Sequence, residues 1–201
     1  MSSLEEIYGV MLQRTTYGDF VLTDAIRPPS NYEPKEGYAE RRTHTPNGTS
    51  VPMAYVAASR EKILSLFDAL LQKMPPHLNV TLTSRNHDEP AIQLRERVRH
   101  GIDRTVLQSI LAQFDDLLLN DGFMEISVWG RACEIGLDDH KILYIIGDHW
   151  LRCARLLNHA GIPYDPEMTF IHEMNRHIHM TADRFIDRLA ELTDLLGCEE
   201  E

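Results

Sequence analysis

Residues 123–147 read FMEISVWGRACEIGLDDHKILYIIG, and the spacing of their apolar positions decides the fold class. Met124, Ile126 and Val128 alternate with Glu125, Ser127 and Trp129. After Gly130-Arg131 the alternation resumes in Cys133, Ile135 and Leu137, and residues 142–146 are then continuously apolar. A period of two marks a strand with one buried face, and an unbroken apolar run marks a central strand. The junctions Gly130-Arg131 and Asp138-Asp139-His140 suit hairpin turns and leave no room for crossover helices. A three-strand antiparallel meander over about 123–147 follows.

Working outward, Val106, Leu107, Ile110, Leu111, Phe114, Leu117 and Leu118 repeat at helical spacing, so a helix is expected over about 103–120 with Asp103 as its cap. Ile63, Leu64, Phe67, Leu70, Leu71 and Met74 form a similar stripe between Ser59 and Pro75-Pro76. Strands are expected at 17–23, 51–58 and 78–83, and a short helix at 2–12. Beyond the meander, a helix capped by Asp148 and carrying Trp150 should end at Gly161. A weaker helix should run from Pro166 to Ile178, and a last one from Thr181 to Gly197. The whole chain, 1–201, thus reads as a single α+β domain: a largely antiparallel or mixed sheet covered by amphipathic helices.

Residues 24–50 interrupt this pattern. Pro28, Pro29, Pro34 and Pro46, with Gly37, Gly48 and Asn47, punctuate a stretch that has no apolar period. So long an excursion serves as a lid, an arm or a binding loop. Tyr32 and Tyr38 are its candidate contact anchors, and Arg41 and Arg42 its candidate partners for acidic groups.

The net charge of −11 on 201 residues disfavours nucleic-acid and anionic-membrane partners. Cys133, Cys153 and Cys198 are too few and too scattered for a disulfide framework or a thiolate metal site. Acidic residues stand where a signal peptide would carry lysines, and a cytoplasmic location is expected.

No phosphate-binding loop, dinucleotide fingerprint or nucleophile elbow occurs. The densest polar run is 172–179. On a helix, His172, Arg176 and His179 would share a face beside a Glu173/His177 pair. His172, Glu173, His177 and His179 are the residue types that ligate divalent metals, but Arg176 would place a cation among them. The expectation is therefore no metal and no cofactor. Asp138-Asp139-His140 and Asp148-His149 flank one strand at opposite ends, as a turn and a helix cap. Cys133 alternates with core residues and points inward. Arg95, Arg97 and Arg99 share one face if 91–99 is extended, and can clamp an anion.

These features lead to the expectation of a non-catalytic interaction or regulatory module that recognises another macromolecule, most simply a protein, through 24–50. One alternative is a small enzyme whose anionic substrate sits on Arg95, Arg97 and Arg99 beneath that loop. The other is a structural homo-oligomer.

Overall fold

A computed structural model describes residues 14–44, 47–85, 94–131, 133–147 and 150–200. The protein is α+β. Its elements are β1 (Thr16–Tyr17), β2 (Phe20–Val21), β3 (Ile26–Arg27), β4 (Gly37–His44), β5 (Ser50–Ala57), α1 (Arg60–Leu71), β6 (His77–Arg85) and β7 (Leu94–Asp103). There follow α2 (Arg104–Leu111), α3 (Asp115–Asn120), β8 (Met124–Trp129), β9 (Cys133–Leu137), β10 (Leu143–Gly147), α4 (Trp150–His159), β11 (Ile178–His179), α5 (Arg184–Leu196) and β12 (Glu199–Glu200). The expected helix at 2–12 and the expected cap Asp148 lie outside the described residues. So does the side chain of Trp150.

Eight strands form one antiparallel sheet in the order β12-β7-β6-β8-β9-β10-β5-β4. The β8-β9-β10 meander lies inside it, in the register its alternation requires: Val128 faces Ile135, and Ile135 faces Ile145. Val80, Leu82, Ile126, Val128, Ile135, Leu137, Leu143 and Ile145 form one face and pack against Ile63, Phe67 and Leu70 of α1, Leu107 of α2, Leu157 of α4 and Leu192 of α5. Each such side chain, taken fully out of water, stabilises the fold by about 1.5–3 kcal/mol before its ordering entropy is counted.

The opposite face carries the alternate residues, Thr81, Thr83, Glu125, Ser127, Trp129, Glu134 and Tyr144, and it is covered only in part. Near β5 and β10 a second, smaller core closes over it. There Phe20, Leu22 and Ile26 meet Met168, Phe170 and Ile171 above Ala39, Ala57 and Ile142. The two-stranded β3-β11 sheet ties this cover together. The rest of the polar face stays open as a cleft.

Three expectations of the sequence are corrected. Residues 166–178 form no long helix: a 3-10 turn at Ile171–Glu173 is followed by β11, and Arg176 takes a left-handed conformation with φ 68°. The stretch lacks an apolar stripe, so it gains more by pairing with β3 than by coiling. The helix expected over 103–120 is two helices, because Gln113 and Phe114 bond three residues back and the tightened turn buries Phe114. Asp103 does cap the first of them, accepting from Thr105 and Val106 N–H. Inside the 24–50 excursion, Gly37–His44 pairs along all of β5 as an edge strand. Cross-strand hydrogen bonding formed that strand without the apolar period that would have announced it.

Gly136 lies opposite Tyr144 in the β9-β10 register, and a Cβ there would sit 2.1 Å from the Tyr144 ring. The missing side chain is what lets this tyrosine lie flat across the sheet. Gly136→Ala should therefore cost about 1–3 kcal/mol of overpacking, read as a lower urea midpoint at an unchanged denaturant slope.

Candidate metal centre

The β9-β10 turn places four consecutive side chains. Asp138 Oδ1 accepts from the backbone N–H of His140 at 3.0 Å and of Ile142 at 2.7 Å, and Lys141 turns the corner with φ 61°. Lys141 then runs inward and donates to the Met124 carbonyl at 3.0 Å. Asp139 and His140 project the other way, toward the segment 172–179.

Its last residues are extended around β11, so a period of two puts His177 and His179 on one side. His177 Nδ1 donates to the Met174 carbonyl at 2.8 Å, and His179 Nδ1 to the Gly122 carbonyl at 2.8 Å. Gly122 in turn donates to the Met180 carbonyl, and a Cβ on it would meet the Ala25 carbonyl at 2.2 Å, so only glycine lets this strap lie so close. With Nδ1 protonated and anchored, each ring keeps its lone pair on Nε2, the arrangement by which outer partners orient metal-ligating histidines.

His140 completes the group. Its Nε2 donates to His177 Nε2 at 2.9 Å, and its ring centroid lies 4.4 Å from that of His179. One ligating atom from each of His140, His177 and His179 lies within 4.8 Å of the other two. Asp138, Asp139 and His140 form an overlapping group of the same tightness. A tetrahedral ion with bonds of about 2.0–2.1 Å needs its nitrogens roughly 3.3 Å apart. Side-chain shifts of about an ångström would seat one.

The electrostatics are set by burial opposed by two adjacent carboxylates. Burial pulls the His140 imidazolium down, but Asp138 and Asp139 more than reverse this and raise it to about 9. His140 Nδ1 lies 2.6 Å from Asp139 Oδ1, as an ion contact off the straight hydrogen-bonding direction. Burial would raise Asp139 too, yet His140, His179 and Arg85 hold its carboxyl well below the usual range; Arg85 Nη2 bonds it directly. Burial lowers His172 and His177, and takes His179 down to about 4, so these three are neutral at physiological pH and able to bind metal. His172 stacks parallel to Phe170, with its buried Nδ1 lacking a hydrogen-bond partner 3.9 Å from Asp138.

Of the sequence candidates, His177 and His179 come together, while His172 lies beside His140 and Asp138 and outside the three-imidazole group. Glu173 does not join them: it accepts from Phe170 N–H and pairs with Arg41. Arg176 is exposed, which removes the cation expected among the ligands. His140, Asp138 and Asp139 join instead. The readable signal for this was His177-x-His179, which shares a face in extended backbone; it was lost by reading the segment as a helix. Asp148 and His149 lie outside the described residues.

The other candidates are placed elsewhere. Tyr38 is buried, its hydroxyl 3.3 Å from Asn158 Oδ1. Tyr32 donates to the Thr169 carbonyl, Arg41 to the Met168 carbonyl, and Arg42 to Ser50. Arg95, Arg97 and Arg99 alternate on the helix-side face of β7, where Arg97 pairs with Glu200 and Arg95 faces a groove along α5. Five strands separate β7 from β4 of the 24–50 segment. Cys133 is buried in the core. Among the described residues, no helix is long and apolar enough to cross a membrane.

Of the cluster, Asp138, Asp139 and His140 reach a cleft of about 300 Å³ that Tyr55, Glu125, Glu134, Tyr144 and His172 also line. Tyr144 donates its hydroxyl to Glu125 at 2.9 Å, and Ser127 donates to Glu134 at 2.6 Å. Burial raises the Glu125 carboxyl to about 7; Tyr144 draws it down, while Asp138 and Asp139 push it up. No protein-family model, curated protein or solved structure was found to match this chain.

Glu125 sets a pH dependence. The unfolded chain releases this proton in the ordinary carboxylate range and the folded chain near 7, so folded protein binds more protons in between. Its contribution to stability falls as pH rises through that window. Glu125→Gln abolishes the loss, so the Tm of the variant relative to the parent should be several degrees higher at pH 8 than at pH 5. A difference that does not change with pH would show that no such penalty exists.

Proposed function

We propose that this protein is a metal-dependent enzyme of hydrolytic type, binding one divalent transition-metal ion through His140, His177 and His179 with Asp139 beside them. The observation that carries this reading is the convergence of three imidazoles whose orientation is fixed, in two of them, by Nδ1 donation to a backbone carbonyl. Three nitrogens leave an open coordination position, as catalytic sites of this class do, and the neighbouring carboxylates favour an ion of charge two. Bound, such an ion supplies a water of lowered pKa and a Lewis acid.

The chain's own groups suit that chemistry. Glu125 lines the same cleft as His140 and has a proton affinity close to neutrality, the range in which a general base works best. Tyr144 holds Glu125 in place, and Gly136 makes room for Tyr144. Arg85 keeps Asp139 ionised and turned toward His140 and His179. The cleft is lined by carboxylates, with neither lysine nor arginine on its wall among the described residues. That lining favours a neutral or cationic substrate over the anionic one anticipated for Arg95, Arg97 and Arg99. The interaction-module reading, which rested on Tyr32, Tyr38, Arg41 and Arg42, is the weaker proposal because those side chains are engaged within the chain.

Protein made without an affinity histidine tag and dialysed against zinc, manganese or iron(II) should retain about one ion per chain, measured by elemental analysis. Cobalt(II) loading should give the visible absorption of a tetrahedral nitrogen-ligated site. His177→Ala with His179→Ala should lower retention at least tenfold. Retention below about a tenth of an equivalent for all of these metals, with the parent folded, would overturn the proposal.

A further inference from the structure

On the other side of the sheet, a cavity of about 270 Å³ lies where the end of α1 and α4 meet β9. Met74, Cys133, Ile135 and Cys153 line it, and all four are buried. Burial pushes the Cys133 thiol up to about 12 and raises that of Cys153, so both stay protonated and serve as small apolar wall groups. Well-packed cores hold few voids larger than a water molecule. A dry apolar cavity of roughly 150 Å³ accepts benzene, so this one has room for an alkyl chain of about ten carbons.

Its mouth carries the opposite character. Lys73 and Arg131 both line it and both are exposed, and among the described residues neither side chain makes an ion pair or a hydrogen bond. In a chain of net charge −11, two cations without an acidic partner among the described residues stand at the rim of one apolar cavity. The Lys73 stem and the Arg131 guanidinium can meet a carboxylate at the surface while the chain beyond it leaves water.

We infer that this cavity is a binding site for a medium-chain alkyl carboxylate, with its tail against Met74, Ile135 and the two cysteines and its headgroup between Lys73 and Arg131. The site is independent of the histidine cluster, which lies on the opposite face. Removing metal or replacing His177 leaves it intact.

Calorimetric titration tests this with decanoate, acetate and decylamine, all below micelle-forming concentrations. Decanoate should bind saturably at one per chain and raise Tm, while acetate gives no signal and decylamine binds at least tenfold more weakly. Lys73→Glu with Arg131→Glu, at exposed positions that leave the core untouched, should weaken decanoate at least tenfold with an unchanged circular dichroism spectrum. Cys153→Leu, which partly fills the cavity, should weaken decanoate as well. Absence of saturable decanoate binding would overturn the inference. So would equal binding by decylamine, or equal decanoate affinity in the charge-reversed protein.

Discussion

Asp138 accepts two backbone N–H groups with one carboxylate oxygen, and its carbonyl takes a third from Lys141. Everything on the polar face is indexed to that turn. It sets the β9-β10 register, which puts Tyr144 over Gly136, and it sends Asp139 and His140 outward while Lys141 runs inward. A lysine in a left-handed conformation is uncommon. Here it is held by the bond from its buried ammonium to the Met124 carbonyl, with Asp121, Asp138, Asp139 and Glu125 offsetting some of the burial that lowers its proton affinity. The turn thus stores a constraint that the surrounding charges stabilise, a pattern typical of functional sites.

The sheet divides its labour by parity. Even-numbered residues of β6, β8 and β10 would not all fall together, because each strand enters with its own phase, yet within each strand one set faces the helices and the other faces the cleft. Core stability is concentrated on the first face, where side chains are wholly buried. The second face can therefore hold carboxylates and imidazoles whose burial is unfavourable to folding. Glu125 illustrates the balance: its carboxyl is retained at a cost that an aliphatic residue would not incur.

Much of the architecture was legible because it is local. Alternation in β6, β8 and β9, the stripe in α1 and the cap at Asp103 depend only on near neighbours, and each appeared where the sequence placed it. What depends on distant pairing was not legible. Gly37–His44 has no apolar period of its own and is a strand because β5 lies beside it. Residues 177–179 are extended because β3, about 150 residues earlier, hydrogen-bonds to them. The histidine cluster inherits that illegibility. Its members stand in two segments that meet through His140–His177 and Asp139–His179, and neither segment has the spacing of a recognised metal motif.

The sheet has two borders, and the β4 border is chemically unattractive to another strand. At one border β12 pairs Glu199 and Glu200 with Val98 and Arg97 of β7. At the other, the first half of β4 is occupied by the chain itself, through the Tyr38 backbone bonds with Pro163 and Asp165, and its second half presents Glu40, Arg41, Arg42 and His44. A charged, partly occupied border is one means by which open antiparallel sheets avoid growing from molecule to molecule. Growth of the eight-stranded sheet along β4 is thereby disfavoured, even though its central strands are among the most apolar segments of the chain.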